Sequence, residues 1–390
     1  MSSSPPTTPP RLGRIAAHVL PKPVAGRSSS GLVVGATVAG VTAPLRFAIV
    51  GAGMISQLHA AVLAALDGAE LVSVCSRDLP RAAAIAAEHA GCTPTTDYAA
   101  LLARDDIDCV SVCTASGEHA HFGVLAANVG KHVLVEKPID ITLERADELI
   151  QACERNGVQL GVVFQLRCHD VAREVRASVQ RGDLGAPVQF DCYMKFWRPQ
   201  EYYSDSRWKG TQALDGGGAL MNQGCHGLDL LLHLVGEDVV SVMARTAVRA
   251  HVDIEVEDTC AAVLVFQSGA LGVLQATTSI NPDTQQRLEL HGTEGTIVVE
   301  GTEELWIREW ETKRDGRRAL TPPPPNLEEG GGAAAVLEHG AEAFSREVRD
   351  FCEAVRGGRA PACDGHEGRR SLSVVRAVYE SARTGIPVEL

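Results

Sequence analysis

The chain has 390 residues, of which 45% are hydrophobic and 22% charged, values typical of a globular protein of two or three domains. Its 36 Lys and Arg against 49 Asp and Glu give a formal net charge of −13, the wrong sign for a protein that binds nucleic acid through phosphates. The 11 Cys form no C-x-x-C pair, so the sequence favours reduced, buried thiols over a disulfide framework or a zinc site.

Residues 1–44 differ in composition from the rest of the chain, with four basic residues and no Asp or Glu. This composition is typical of a transit peptide, and an export signal is a further alternative. We favour a disordered extension, or a start codon placed too far upstream, because the rest of the composition is that of an intracellular protein. No run reaches the 18 apolar residues of a transmembrane helix, so we expect a cytoplasmic protein that binds no membrane.

A glycine turn between an apolar strand and a helix opens the folded part of the chain. Residues 45–50 form the strand, Gly51 and Gly53 the turn, and a helix from about 57 to 66 leads to a second strand at 70–75. In this context the first glycine allows the tight turn, and the second lets backbone N–H groups approach a pyrophosphate at the helix N-terminus. The pattern therefore predicts a dinucleotide site.

The end of the second strand bears on the choice between NAD and NADP. An NAD site usually places Asp or Glu there to hold the ribose hydroxyls. Here Ser76 and Arg77 occupy that point, and both side chains are suited to bind a 2′-phosphate. Asp78 lies one or two positions beyond the point where a carboxylate would hold the ribose hydroxyls. The alternative role for Arg77 is that of a solvated surface charge. We favour NADP.

Helices and strands alternate to residue 164. The further helices are predicted at 81–89, 119–129 and 143–156, and the further strands at 109–114, 132–135 and 159–164. Such alternation predicts a parallel, doubly wound sheet with right-handed crossovers, here a Rossmann domain at 45–165. Loops that follow the strands, such as the one beginning at Thr114, lie at the carboxyl edge, where ligands bind.

Glu136-Lys137-Pro138 directly follows the strand at 132–135, which places Glu136 and Lys137 over the cofactor crevice. A lysine there is able to donate a hydrogen bond to a substrate oxygen and to stabilise negative charge on it during hydride transfer. The alternative is an ordinary surface Glu–Lys pair, but the position relative to the glycine turn favours the catalytic interpretation.

The segment after Gly216-Gly217-Gly218 predicts a flexible approach followed by a helix. Asn222, His226, Asp229 and His233 recur at helical spacing, so they share one face that we expect to line a site. His226 is the natural proton carrier near neutral pH, and Asn222, one turn earlier, is placed to orient it or to bind a substrate hydroxyl. A metal site at the two histidines and Asp229 is the disfavoured alternative, because hydride transfer needs no metal.

Residues 166–390 predict a second, α+β domain with a large, mostly antiparallel sheet. Its strands are expected at 188–195, 239–248, 259–267, 271–279, 287–292 and 295–300, with short glycine-containing turns. A Pro- and Gly-rich loop at 321–334 precedes helices at 341–356 and 367–384. A broad sheet with one face uncovered by helices favours self-association.

Together these segments resemble the Gfo/Idh/MocA oxidoreductases, relatives of glucose–fructose oxidoreductase and inositol dehydrogenase, over residues 45–390. The motifs that carry the resemblance are Gly51-x-Gly53, Asp108-x-Val110-x-Val112-x-Thr114, Gly130-Lys131-His132-Val133, Glu136-Lys137-Pro138, Trp208-Lys209-Gly210-Thr211, the segment 215–229 and Val256-Glu257-Asp258-Thr259. The resemblance implies an NAD(P)-dependent dehydrogenase whose second domain often mediates dimers or tetramers. Lys137 and His226 match the catalytic Lys and His of the family.

Asn222 departs from the family pattern, in which Asp is common at this position. A carboxylate one turn before His226 would favour the imidazolium and raise the pKa of the histidine. Asn222 carries no charge, so this support is missing unless Asp229, one turn later, supplies it. We expect Asn222 to act through hydrogen bonds.

The resulting site assignment contains no metal. Catalysis is assigned to Lys137, His226 and Asn222, and substrate binding to Arg167, Asn222 and Asp229. The cofactor, NADP or NAD, is assigned to Gly51, Gly53, Met54, Ile55, Ser76, Arg77, Thr114, His119, Glu136, Lys137 and Trp208.

The predicted function is hydride transfer between NAD(P) and a hydroxyl or carbonyl group of a sugar, cyclitol or related polyol, in a homodimer or homotetramer formed through the C-terminal sheet. One alternative is an NAD-dependent glycosidase of the same family, which acts by oxidation and elimination. The other is a cofactor-binding regulator without catalysis, against which the presence of both Lys137 and His226 argues. The identity of the substrate stays open.

Overall fold

The structure is a computed structural model that describes residues 43–302, 304–318, 320 and 341–390. The predicted extension at 1–44, apart from its last two residues, and the predicted loop at 321–334 lie outside the described residues. Within the described ranges, no helix is long and apolar enough to span a bilayer.

In the first part of the described chain, six parallel strands form one sheet in the order β3-β2-β1-β4-β5-β6. The strands are β1 (Leu45–Val50), β2 (Ala69–Cys75), β3 (Thr93–Thr95), β4 (Cys109–Val112), β5 (His132–Val135) and β6 (Leu160–Val162). The helices between them are α1 (Met54–Ala65), α2 (Leu79–Ala86), α3 (Tyr98–Leu102), α4 (His119–Asn128) and α5 (Leu143–Asn156). This topology confirms the predicted Rossmann domain.

The element boundaries follow local chemistry. α1 begins at Met54, three residues before its predicted start, because Gly53 is its N-cap. α5 has the predicted bounds: the Thr142 side chain accepts the N–H of Arg145 at its start, and Gly157 ends it in a left-handed conformation. β3 and α3 were not predicted, since a three-residue edge strand with a central proline carries almost no sequence signal.

A second sheet of nine strands among the described residues has the order β14-β13-β12-β11-β7-β10-β9-β8-β15. Every pairing in it is antiparallel except that of β7 with β10. The strands are β7 (Pro187–Lys195), β8 (Val239–Ala247), β9 (Thr259–Phe266), β10 (Leu271–Thr277), β11 (Arg287–Gly292), β12 (Gly295–Glu300), β13 (Trp306–Thr312), β14 (Gly316–Arg317) and β15 (Val388–Glu389). The predicted mostly antiparallel sheet is confirmed, and β13 to β15 extend it beyond the prediction.

Helices of the second half cover one face of this sheet and also return to the first. They are α6 (Asp170–Gln180), α7 (Glu201–Ser204), α8 (Cys225–Val235), α9 (Ala341–Gly357) and α10 (Gly365–Thr384). α8 packs on β7 and α10 on β8, whereas α9 packs on α1. Phe344 and Phe351 of α9 are buried in one apolar cluster with Phe47 and Ile49 of β1.

The three successive glycines fill crowded positions, so the prediction of a flexible approach is wrong. A side chain at Gly216 would lie 2.3 Å from the Cβ of Ile141 in the first domain. At Gly217 and Gly218 it would lie 2.2 Å from the Tyr379 hydroxyl and 1.7 Å from the Glu257 carbonyl oxygen. The missing side chains therefore allow close packing of this segment against its neighbours.

Gly51 and Gly53 offer a matched test of the glycine turn. Gly51 has φ +113°, and a Cβ there would lie 2.3 Å from the Cys113 carbonyl oxygen. Gly53 has φ −82°, and a Cβ there would have no atom of a non-adjacent residue within 4 Å. We expect Gly51→Ala to lower the free energy of unfolding by more than about 1 kcal/mol, and Gly53→Ala to leave it nearly unchanged. Urea denaturation of both variants measures the difference, and equal stabilities would contradict this account of the turn.

Candidate active site

The two segments that the sequence singles out meet at the carboxyl edge of the parallel sheet. Lys137 directly follows β5 and Glu136, and its ammonium group donates a hydrogen bond to the backbone carbonyl of Asn222 at 2.8 Å. Asn222 lies in a π-helical turn, Leu220–Gly224, that leads into α8. The Gly117 N–H donates to the Leu214 carbonyl at 2.8 Å, which holds the two halves of the chain together beside the site.

His226 stands one turn after Asn222, with an imidazole that is neutral at neutral pH. Burial, reinforced by the positive charge of Lys137, holds the pKa of His226 well below its usual range. The ring lies edge-on to Phe164, with 6.0 Å between centroids. Its Nδ1 is buried without a hydrogen-bond partner among the residues that the structure describes. A neutral His226 is therefore available as a base at neutral pH.

Asp215 is a site residue that the sequence analysis missed. Its Oδ1 accepts a hydrogen bond from the Asn222 side-chain amide at 3.1 Å, and its Oδ2 accepts the Gly210 N–H at 2.8 Å. Burial raises the pKa of Asp215 to about 6, against the opposing effect of these donors and of Lys137. The signals in the sequence were its position directly before three glycines and at the start of the motif segment 215–229.

Lys209 is a second cation of the site, also missed although it lies within the Trp208-Lys209-Gly210-Thr211 motif. Its ammonium group sits 3.6 Å from the ring centroid of Tyr202. Burial lowers the pKa of Lys209 to about 8, Asp215 opposes that shift and Lys137 adds to it. The Tyr202 hydroxyl accepts a hydrogen bond from Gln223 at 2.8 Å, and the Gln223 Oε1 is buried without a partner in the described structure.

The predicted polar stripe of α8 does not face one site. Both oxygens of Asp229 accept hydrogen bonds from Arg167, at 2.7 and 2.6 Å, and Oδ1 also accepts the Ser371 hydroxyl at 2.6 Å. His233 is bound by Arg176. Because a buried carboxylate requires a partner, Asp229 is neutralised within the protein and does not supply the charge that we considered for His226.

The helix that carries Asn222 and His226 is anchored by Glu257. One carboxylate oxygen of Glu257 accepts the Gly218 N–H at 2.9 Å, and the other accepts the Leu220 N–H and the Tyr379 hydroxyl, each at 2.9 Å. Burial raises the pKa of Glu257 to about 7, although these donors favour the ionised form. Glu257 thus satisfies the free N–H groups at the start of the helix.

Among the predicted cofactor residues of the glycine turn, Gly53 borders open space at the N-terminus of α1, whereas Gly51 packs against the Cys113 carbonyl. Gly53 is exposed and Met54 and Ile55 follow it, while the Ser56 hydroxyl is buried without a described partner. At the end of β2, the Ser76 hydroxyl accepts the Asp78 N–H at 3.2 Å. The side chain of Arg77 is 88% exposed, and the nearest carboxylate, Glu118, lies 3.9 Å away.

His119 and Trp208 stand close to this edge with largely structural contacts. The His119 Nδ1 lies 2.7 Å from the Pro138 carbonyl oxygen, and its Nε2 lies 3.2 Å from the Thr114 carbonyl oxygen. Burial lowers the pKa of His119. The ring thus ties the end of β4 to the turn that holds Lys137. Trp208 is half-buried, and its carbonyl accepts the Thr211 hydroxyl at 2.6 Å.

Glu136 lies on a buried polar chain beneath Lys137. One oxygen accepts the Lys137 backbone N–H at 3.1 Å, and the other lies 2.9 Å from the His59 Nε2. The His59 Nδ1 lies 2.6 Å from the Ser111 hydroxyl. Burial alone lowers the pKa of His59, but Cys113 and the Glu136 carboxylate outweigh it and raise the pKa to about 10. His59, which the sequence analysis did not select, therefore keeps Glu136 ionised.

His59→Gln should destabilise the protein in a pH-dependent way. A raised histidine pKa contributes stability that is complete below about pH 6.5 and is lost as the pH rises to about 10. We expect the variant to lose about 3 kcal/mol of unfolding free energy at pH 6, since Glu136 is left unpaired, and less at pH 10. Urea denaturation across this range measures the difference. His132→Gln is the control, because burial lowers the pKa of His132; equal pH trends would contradict the assignment.

The described residues contain no group of three or more His, Cys, Asp or Glu arranged to hold a metal ion. Two residues of the alternative metal site, Asp229 and His233, are instead bound to arginines. The structure pairs Asp229 with Arg167 and His233 with Arg176, as described above.

Comparison with known proteins gives matches over both sheets. A profile described as "Oxidoreductase family, NAD-binding Rossmann fold" matches residues 45–164, and one described as "GFO/IDH/MocA C-terminal domain" matches residues 172–298. The chain is 28% identical over 342 residues to an inositol 2-dehydrogenase of Rhizobium meliloti, covering 86% of this chain and 96% of the relative. It is 29% identical over 324 residues to D-xylose 1-dehydrogenase (NADP(+)) 2 of Haloferax volcanii, covering 82% and 92%.

A solved structure is similar over most of its length. The WlbA dehydrogenase from Bordetella pertussis, in complex with NADH and UDP-GlcNAcA, superposes with a TM-score of 0.77 at 32% sequence identity. The match covers 89% of this chain and 98% of that one.

Proposed function

This chain belongs to the GFO/IDH/MocA family of NAD-binding oxidoreductases, and we propose that its site moves hydride between a nicotinamide dinucleotide and a hydroxyl-bearing carbon of a sugar or cyclitol. The observation that carries the proposal is the 2.8 Å hydrogen bond from Lys137 to Asn222, one turn before a neutral His226. It brings an acid, a base and a polar substrate ligand together at the edge where the glycine turn opens.

The residues present fit such a cofactor. Gly53 is exposed, and no atom lies within 4 Å of the place a side chain would take, so its backbone is open to a pyrophosphate at the start of α1. The buried, unpartnered Ser56 hydroxyl is a further donor at this end of the helix. When bound, the dinucleotide supplies the nicotinamide carbon that takes or gives the hydride.

Three side chains of the site divide the remaining work. In the oxidative direction, neutral His226 accepts the proton of the reacting hydroxyl. The Lys137 ammonium stabilises the negative charge that develops on that oxygen, and the carbonyl of Asn222 holds the ammonium in place. The Asn222 side chain is a hydrogen-bonding ligand for the substrate. Arg167 and Asp229, paired with each other, act as an internal support of α8 in this proposal.

The end of β2 favours NADP over NAD. Asp78, the first carboxylate after β2 along the chain, is the N-cap of α2, where its side chain accepts the Arg81 N–H. That role draws it away from ribose hydroxyls. The Arg77 side chain is 88% exposed and makes only a long, 3.9 Å ion pair with Glu118, so it is accessible to a 2′-phosphate, and Ser76 precedes it in the sequence.

The uncovered face of the second sheet supports self-association as a homodimer or homotetramer. Met243, Val263 and Leu271, on three neighbouring strands, are exposed by 37%, 48% and 53%. Burial of such a patch against a second copy removes apolar surface from water.

Lys137→Ala should cut turnover by about 10²-fold or more and leave cofactor affinity nearly intact, because the charge acts on the reacting oxygen. The assay measures the formation of NADH and NADPH with each member of a panel of sugars and cyclitols. The control is Lys131→Ala at the opposite end of the same strand, where the ammonium binds the carbonyls of Arg104 and Ile107. Near-wild-type turnover of Lys137→Ala on the best substrate would remove Lys137 from the mechanism.

Arg77→Ala should weaken NADPH binding by about 1–3 kcal/mol and NADH binding much less, because only NADPH offers a phosphate to the guanidinium. Fluorescence titration with both cofactors measures the two affinities. Arg81→Ala, which removes a neighbouring arginine bound to Asp78 at 3.3 Å, is the control. Equal losses for both cofactors, or tighter wild-type binding of NADH, would refute the NADP preference.

A further inference from the structure

The Asn222 side chain is held from one side by a buried carboxylate to which no role has been assigned. We infer that Asp215 is a positioning residue that fixes the rotation of the Asn222 amide, so that the amide oxygen faces the substrate as a hydrogen-bond acceptor. The inference rests on the proposed function and extends it to a residue that contacts neither substrate nor cofactor.

The chemistry of the pair determines the direction of the amide. An ionised carboxylate only accepts hydrogen bonds, so the amide atom that faces the Asp215 Oδ1 at 3.1 Å must be the nitrogen. The amide oxygen of Asn222 then lies on the other side, where it has no hydrogen-bond partner within the described chain. An oxygen held there selects a group that donates a hydrogen bond, such as the hydroxyl of a sugar.

Asp215 itself has little freedom. Its second oxygen accepts the Gly210 N–H at 2.8 Å, and the side chain is almost completely buried. The charged and titratable groups that act on it are Lys137 at the end of β5, Lys209 in the preceding loop, and Tyr202 and Tyr203 of α7. Two lysines lie near Asp215, but no arginine of the described chain binds it. Among the described residues, Asp215 is the carboxylate that makes a hydrogen bond with the Asn222 side chain.

The arrangement makes substrate binding sensitive to mild acid. Because burial raises the pKa of Asp215 to about 6, the carboxyl gains a proton below that pH. The protonated carboxyl can donate a hydrogen bond to the Asn222 amide oxygen, so the amide nitrogen is no longer required to face Asp215. His226 does not account for such a transition, since its pKa lies far lower.

The test uses the enzyme–NADH complex, in which a sugar binds without being oxidised, and NADH fluorescence reports the binding. The probe is the member of a pyranose and cyclitol panel that the wild type binds most tightly. We expect wild-type affinity to fall below about pH 6. Asp215→Asn should bind the probe about 10-fold or more weakly and lose the transition near pH 6, while NADH affinity stays within about threefold. Glu257, whose pKa is about 7, titrates separately and in the variant as in the wild type.

Two variants serve as controls. Asp215→Glu keeps an acceptor-only carboxylate and should retain a pH transition. Asp258→Asn replaces a buried Asp that accepts the N–H groups of Arg249, Ala250 and His251, away from Asn222, and should leave the transition in place. An unchanged affinity and an unchanged acid transition in Asp215→Asn would overturn the inference.

If Asp215→Asn fails to fold, the variant Asn222→Asp tests the role of Asp215. Two carboxyl groups at hydrogen-bond distance share a proton, so the acid transition should move to higher pH; an unmoved transition would overturn the inference. Failure of the proposed function is distinguishable: a probe that binds with the expected pH dependence but is oxidised with neither cofactor would overturn hydride transfer alone. A wild-type protein that binds no member of the panel would overturn both.

Discussion

The site depends on one contact between distant parts of the chain, the hydrogen bond from the Lys137 ammonium to the Asn222 carbonyl. Each end of that contact is held by a buried carboxylate that binds backbone N–H groups. Glu136 holds the N–H of Lys137, and Glu257 holds those of Gly218 and Leu220 before Asn222. The reactive groups are therefore positioned by the main chain, which moves less than side chains do.

The buried carboxylates differ in how their charge is balanced. Glu136 has a histidine as its partner, and its pKa is lowered although burial opposes ionisation. Asp215 and Glu257 have mainly backbone and neutral donors, and burial raises their pKa values to about 6 and about 7. A full counter-charge thus stabilises the ionised form more than dipoles do. Asp215 and Glu257 are consequently among the groups whose charge changes within the physiological pH range.

The sequence predicted the fold well wherever a single element carries its own signal. β5 and α5 have their predicted bounds, because an apolar run and a capped amphipathic helix are local features. Lys137, Asn222 and His226 could be found in the same way, by motif and helical spacing. The role of Asp229 could not be predicted, because helical spacing shows which residues share a face but not which residues pack against that face. In the structure Asp229 binds Arg167, which lies 62 residues away along the chain. Asp215 and His59 were missed for the same reason.

The last long helices make the first domain discontinuous in sequence. Phe344 and Phe351 of α9 fill the same apolar cluster as β1, and Gly161 of β6 leaves the space that the Phe351 ring occupies, 2.8 Å from where a Cβ would stand. On the ribosome, the glycine turn at Gly51 emerges 290 residues before the start of this helix at Ala341, and the last strand of its sheet, which ends at Val162, 179 residues before it. One side of the nucleotide-binding domain therefore stays exposed until α9 has been synthesised, and only then is the final core of the domain complete.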